Sequence, residues 1–268
     1  MARGPAEPVA RLRRDRRRAR GVSPVELIVV GVASALAMLA KSATGLGYPL
    51  IAIPILAPLT GIETAVAVVT LPNAVANVLV GWRTRHALSE TRDVFVLTAT
   101  SSLGAVAGTF VLVSLPERPL LIALAVCVLA FVVRSLWFGD ITVSPEAGRR
   151  ASPAVGLASG VMQGAVGVSG PIIGSWFYAY RLSRDAYILS LSVLFLITGV
   201  AQISTLASIG AYDSDRLIAA AVGFGPVLVM LPVGEHLRDR LSGSQFDRAV
   251  LALLAASGVT LVVRAFTG

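Results

Sequence analysis

Charged residues are scarce in this sequence. Only 14% of its 268 residues are charged, whereas 55% are hydrophobic. A typical soluble domain has about 25% charged residues, and a water-soluble protein of this length must cover its surface with polar groups. The composition therefore excludes a soluble enzyme, a disordered chain and a coiled coil. It indicates an integral membrane protein.

Cysteine and the common catalytic motifs are also lacking. The only cysteine, Cys127, lies in an apolar run, so one chain can form neither a disulfide framework nor a thiolate metal cluster. The sequence contains no HExxH motif, no histidine pair at metal-binding spacing and no acidic pair inside an apolar run. We therefore expect neither an enzyme nor a protein with a metal or cofactor, and we expect no carboxylate proton relay.

The basic excess belongs mainly to the N-terminus. The formal net charge is +8, and residues 1–21 contain eight arginines against two acidic residues, which gives +6 of that charge. The excess therefore does not indicate nucleic-acid binding. We interpret this tail as a cytoplasmic or lipid-headgroup anchor, following the positive-inside tendency; the alternative is a disordered extension without a role. Cleavage as a signal peptide is not expected, because the hydrophobic character continues past Ala43.

Seven runs are long and apolar enough to cross a bilayer, for which a helix needs about 20 residues. They are Val25–Ala43, Glu63–Trp82, Val94–Ser114, Leu120–Phe138, Ala186–Ser208, Leu217–Val233 and Ala249–Phe266. Two further segments are irregular. Leu46–Leu59 is too short to cross and contains three prolines. The segment Pro153–Tyr180 is interrupted by Gly164, Gly167, Gly170, Pro171 and Gly174. Such interrupted segments point to a binding site in transporters.

The sequence repeats weakly at an offset of 125 residues. Gly31–Ser34 matches Gly156–Ser159, Thr44-Gly45 falls on Ser169-Gly170, and Asn77 falls on Gln202. The shared order of the matches predicts an internal duplication, in which each half has an interrupted hairpin followed by three spans.

The loop charges favour an inverted duplication. In the first half the loop Arg83–Arg92 is basic and the next loop is neutral. In the second half the first of these loops carries Asp213 and Asp215, and the second is basic. The bias has changed sides, as inverted repeats require. Strict inversion needs an odd number of crossings in each half, so the sequence leaves the total at seven to ten helical segments.

Lys41 is the only lysine, and the run around it contains no carboxylate. A charge inside the membrane is normally placed in a cavity or paired. Two interpretations fit: a counter-charge for an anion, or a lysine that extends to the interface from the end of the first span.

Two glycine-rich segments, Ser42–Gly47 and Gly167–Gly170, precede helical segments. Free N–H groups and the positive dipole end favour an anion where a helix begins. The alternative is close helix packing by small residues. Four amides inside apolar runs fit either hydrogen bonds to an oxyanion or bonds between helices. The four are Asn73, Asn77, Gln163 and Gln202.

These features resemble the TauE/SafE sulfite exporter family of bacterial permeases. The resemblance rests on Thr44–Gly47 followed by Pro54, on Gly167–Pro171, and on Pro232–Arg240 followed by Phe246. It covers about residues 22–268. It implies transport of sulfite, sulfonates such as sulfoacetate or taurine, or related anions across the bacterial cytoplasmic membrane.

We therefore predict an all-α, polytopic membrane protein of two pseudo-symmetric, inverted repeats with broken helices. Its predicted parts are a tail (1–21), a first repeat (22–139), a connecting loop (140–152) and a second repeat (153–268). We expect it to bind a small anion within the bilayer and to transport it by alternating access, driven by the membrane potential or by coupled H⁺ or Na⁺. We expect the protein to be a monomer or homodimer. The alternatives are a permease for a carboxylate and a membrane scaffold subunit that transports nothing. The predicted substrate-binding residues are Lys41, Thr44, Gly45, Gly47, Asn73, Asn77, Gln163, Ser169, Gly170 and Gln202.

Overall fold

The computed structural model describes residues 23–137, 142–240 and 243–267, and every regular element in these ranges is a helix. The all-α prediction is confirmed for this part of the chain. The basic tail 1–21 lies outside the described residues.

Ten α-helices and one 3₁₀ helix, Arg85–Glu90, make up the described chain. The first five are α1 (Pro24–Thr44), α2 (Tyr48–Thr60), α3 (Ile62–Thr84), α4 (Val94–Ser114) and α5 (Glu117–Trp137). The second five are α6 (Pro145–Val166), α7 (Gly170–Ala179), α8 (Arg184–Ser208), α9 (Ser214–Arg240) and α10 (Gly243–Thr267).

Six of these helices are long and apolar enough to span a membrane, which fits the predicted polytopic protein. They are α1, α3, α4, α5, α8 and α9, and they coincide with six of the seven predicted spans. The seventh predicted span, Ala249–Phe266, lies in α10, whose described apolar stretch Leu251–Thr267 is shorter. Tyr48–Thr60 is also a shorter apolar helix, as expected from its length.

Two sequence expectations about helix ends are wrong. The predicted connecting loop 140–152 is largely helical, because α6 begins at Pro145, where the hydroxyl of Ser144 accepts a hydrogen bond from the N–H of Ala147. The prolines of Leu46–Leu59 do not interrupt α2. Pro49 lies in its first turn, which tolerates proline, and Pro54 and Pro58 lie inside the continuous helix.

The most extensive helix contacts are between the first five helices and the second five. Helix α4 packs along α6 and α1 packs along α9, while α3 packs on α8 and α5 on α10. Helix α4 also contacts α8, and α3 contacts α9. Each of these contacts joins one of the first five helices to one of the second five.

Glycines bring α4 and α6 into close contact. A Cβ added to Gly160 would lie 2.0 Å from the carbonyl oxygen of Ser101, and one on Gly108 would lie 2.2 Å from that of Val161. The hydroxyl of Ser101 also donates to the carbonyl oxygen of Gly156 across the contact, at 2.8 Å. Small residues of this kind let membrane helices approach each other closely. Here the glycines are required by backbone-to-backbone contact.

Candidate functional site

The first half of the site lies where α1 ends. Gly45 has a φ of 74°, and its N–H donates to the carbonyl oxygen of Lys41 at 2.7 Å. Gly47, with a φ of 115°, precedes α2 and provides no side chain to cap it. Only glycine adopts these left-handed conformations without strain. The chain therefore leaves one helix and starts the next within three residues, Gly45 to Gly47.

The second half of the site repeats this arrangement where α6 ends. Gly167 has a φ of 74°, and its N–H donates to the carbonyl oxygen of Gln163 at 2.8 Å. Helix α7 follows after Ser169. The residue that performs the role of Gly45 is thus Gly167, and not Gly170, which the sequence offset had matched to it. Gly170 is instead the first residue of α7.

The two helix ends lie against the opposite set of helices. A Cβ added to Gly170 would lie 3.4 Å from a methyl group of Leu46, the residue between Gly45 and Gly47. A Cβ on Gly167 would lie 2.2 Å from a methyl group of Ile53 in α2. The first helix end therefore contacts the start of α7, and the second contacts α2.

Lys41 is buried one turn before the end of α1, with 1% of its surface exposed. Its ammonium nitrogen donates to Oδ1 of Asn77 in α3 at 2.7 Å and lies 5.6 Å from the ring centroid of Phe195 in α8. None of the carboxylates in the described part of the chain forms an ion pair with it. When Lys41 is protonated, its charge has no counter-charge among the described residues, and a bound anion would supply one.

The amide of Asn77 is held in place from both of its ends. While Oδ1 accepts from Lys41, Nδ2 donates to the carbonyl oxygen of Asn73 at 2.9 Å, one turn earlier in α3. The side chain of Asn73 is itself buried, and its Oδ1 has no hydrogen-bond partner within the described residues. Buried polar atoms are rarely left unpaired. Oδ1 of Asn73 therefore keeps its capacity to accept a hydrogen bond.

A fully neutral network occupies the corresponding place in the second half. Gln163 Nε2 donates to Oε1 of Gln202 in α8 at 3.2 Å, and Gln202 Nε2 donates to the carbonyl oxygen of Gln163 at 2.9 Å. The hydroxyl of Ser169 donates to Oε1 of Gln163 at 2.9 Å. Because this hydroxyl points to Gln163, Ser169 does not cap α7. Pro171 has no N–H, and the N–H groups of Ile172 and Ile173 donate to the carbonyl oxygen of Ser169. The N–H of Gly170 is therefore the one in the first turn of α7 that keeps its capacity to donate to a ligand.

The structure thus brings the predicted residues into two buried groups. Lys41, Asn73 and Asn77 form the first, next to Gly45 and Gly47; Gln163, Gln202 and Ser169 form the second, next to Gly170. No hydrogen bond between described side chains joins the two groups. The side chain of Thr44, also a predicted site residue, lies outside the described part of the structure.

Phe195 is the site residue that sequence analysis missed. It presents its ring to Lys41, but an aromatic residue within an apolar helix carries no signal that separates it from ordinary core residues. A second omission is Ser192, one turn earlier in α8, whose buried hydroxyl has no partner among the described residues. Tertiary packing places Phe195 next to Lys41 and Ser192 next to Gly81 of α3.

The comparisons with known proteins found one family. The family model described as sulfite exporter TauE/SafE matches residues 29–261, which is nearly the whole chain. A search of curated proteins found no match, and a search of solved structures found none either.

Proposed function

Because the chain belongs to the sulfite exporter TauE/SafE family, we propose that it is a permease for small sulfur-containing anions such as sulfite, sulfoacetate or taurine. The observation that carries the proposal is Lys41, a buried cation whose hydrogen-bond partner is a neutral amide. A transported anion would supply the missing negative charge. We further propose that the protein works in the bacterial cytoplasmic membrane, as a monomer or homodimer.

The substrate would bind between the two helix ends. Lys41 would compensate its charge, and the amides of Asn73 and Asn77 would contribute polar contacts. From the other side, the N–H of Gly170 at the start of α7 and the second N–H of the Gln163 amide would donate hydrogen bonds, and Gln202 would hold Gln163 in place. Helix N-termini favour oxyanions because their free N–H groups carry a partial positive charge. The contact between Leu46 and α7 supports a site that both halves share.

Alternating access would use two inverted repeats, residues 22–139 and 153–268. If α1 to α5 correspond in order to α6 to α10, the contact of α4 with α6 corresponds to that of α9 with α1. In the same way, the contact of α4 with α8 corresponds to that of α9 with α3. This correspondence and the exchanged loop charges support the repeats. The membrane potential or coupled H⁺ or Na⁺ would supply the energy.

Transport by the purified protein tests the proposal. The protein is reconstituted in liposomes, and uptake of labelled sulfite, sulfoacetate, taurine and a plain carboxylate is measured against protein-free liposomes. We expect saturable uptake of at least one sulfur-containing anion. Uptake of the carboxylate alone would reassign the substrate, and saturable uptake of none would favour a scaffold role.

A further inference from the structure

We infer that the site selects anions by net charge, and that among the proposed substrates it favours those with one negative charge, such as hydrogensulfite, over those with two, such as sulfoacetate. This inference rests on the proposed function, because it specifies the substrate class of the same site. It follows from an asymmetry between two matching positions, Lys41 and Gln163.

The two positions are equivalent in the fold. Each residue lies four positions before the left-handed glycine that ends its helix, and each accepts the N–H of that glycine with its carbonyl oxygen. Each side chain then makes a hydrogen bond to an amide on the next long helix: Lys41 to Asn77 of α3, and Gln163 to Gln202 of α8. The same place therefore contains a cation in one half and a neutral amide in the other.

The charges near the site do not alter this balance. The ion pairs recorded for the described residues join Arg216 with Glu63 and His86 with Asp185, and neither pair includes Lys41 or Gln163. The partners of Gln163 are Ser169 and Gln202, both uncharged. Within the two hydrogen-bonded groups of described side chains, Lys41 is the one charge.

A single buried cation compensates one negative charge. A monovalent anion beside Lys41 leaves the site neutral, whereas a divalent anion leaves one negative charge buried among neutral amides and apolar side chains. An uncompensated charge inside the membrane is costly, and it should lower the affinity at least about tenfold. Hydrogen bonds from the amides and from the start of α7 would offset part of this cost for any oxyanion, but they do not add a charge.

Methanesulfonate and sulfate provide a matched pair of probes. Both have a tetrahedral sulfur with oxygen ligands, and they differ by a methyl group in place of one charged oxygen. The test measures how strongly each one inhibits the uptake of labelled sulfite by the reconstituted protein. We expect methanesulfonate to inhibit at a concentration at least about tenfold lower than sulfate does.

Gln163→Lys is the matched variant, because it places a second cation at the equivalent position. For each probe, the concentration that inhibits uptake by half is measured. We expect Gln163→Lys to lower the ratio of this concentration for sulfate to that for methanesulfonate by about tenfold. Its control is Gln163→Met, which is similar in length but uncharged and should leave the preference for methanesulfonate in place. If Gln163→Lys does not fold, the comparison of the two probes on the unchanged protein still decides.

The outcomes separate the inference from the proposed function. Absence of any saturable sulfite uptake would contradict the proposed function itself. If sulfate inhibits sulfite uptake as strongly as methanesulfonate does, or if neither probe inhibits it, charge selection is overturned. The permease assignment then remains intact.

Discussion

Lys41 and Asn77 form a buried hydrogen bond of 2.7 Å between the end of α1 and the middle of α3. Asn77 accepts a hydrogen bond from the ammonium group, but as a neutral amide it does not compensate the positive charge. If the remaining positive charge serves a substrate, then a carboxylate in place of the amide should satisfy it permanently.

We predict that Asn77→Asp abolishes anion transport without unfolding the protein. The new carboxylate would pair with Lys41 and cancel the charge that attracts the anion, so uptake of labelled sulfite should fall at least about tenfold. Thermal unfolding in detergent should stay unchanged or move upward, since a buried cation gains a counter-charge. The control is Asn77→Ser, which removes the amide without adding a negative charge and should retain more uptake than Asn77→Asp. Full transport by Asn77→Asp would contradict an anion site at Lys41.

Replacement of the cation itself gives a second prediction. Lys41→Gln gives the first half the residue that stands at the equivalent position of the second half. We expect sulfite uptake to fall at least about tenfold, because a buried anion then has no counter-charge. The variant should be no less stable than the original protein, since it removes a buried charge that has no ionic partner. Lys41→Arg keeps the charge and should retain more uptake than Lys41→Gln. Equal losses in both variants would mean that Lys41 acts through its shape.

The contact between α4 and α6 leads to a prediction about stability. Gly160→Ala should lower the unfolding temperature in detergent, because the added methyl group would lie 2.0 Å from the carbonyl oxygen of Ser101 and would force the helices apart. Overpacking of this kind costs roughly 1–3 kcal/mol. Gly225→Ala is the matched control, since a Cβ at Gly225 would meet nothing within 4 Å. Similar unfolding temperatures for the two variants would contradict the close contact.

The inverted repeats predict opposite locations for two corresponding loops. Single cysteines are introduced as Ser89→Cys and Ser214→Cys in a Cys127→Ala background, since both serines are exposed and Cys127 is the only native cysteine. A thiol reagent that does not cross membranes should label one position from outside intact cells and the other only after permeabilisation. Labelling of both from the same side would exclude the inverted arrangement.

Much of the helical framework could be predicted from the sequence, because hydropathy determines which segments fit a bilayer. Six of the seven predicted spans are helices of sufficient length. The helix ends were harder to predict. The prolines of α2 lie inside a continuous helix, whereas the chain turns at Gly45, Gly47 and Gly167, where left-handed conformations form. Residue identity alone does not specify which glycine adopts such a conformation.

The site shows a similar division between what was predicted and what was not. Lys41 and the four amides stood out because polar side chains are rare in apolar runs. Which of these side chains pair with each other could not be predicted, because hydrogen bonds between α1 and α3 or between α6 and α8 depend on tertiary contacts. Tertiary contacts also explain Gly164. The sequence predicted that it interrupts a segment, but it lies inside the continuous helix α6, where it packs against the carbonyl oxygen of Ala105 in α4.

Exchange of sulfite across a liposome membrane tests the central claim, anion transport by alternating access, most directly. Liposomes that contain the reconstituted protein are loaded with unlabelled sulfite, and uptake of labelled sulfite is compared with uptake into liposomes loaded with buffer. A carrier that reorients across the membrane faster with bound substrate than without it should give saturable uptake, and internal sulfite should accelerate that uptake. Uptake that rises linearly with concentration, is indifferent to internal sulfite and equals that of protein-free liposomes would contradict the account.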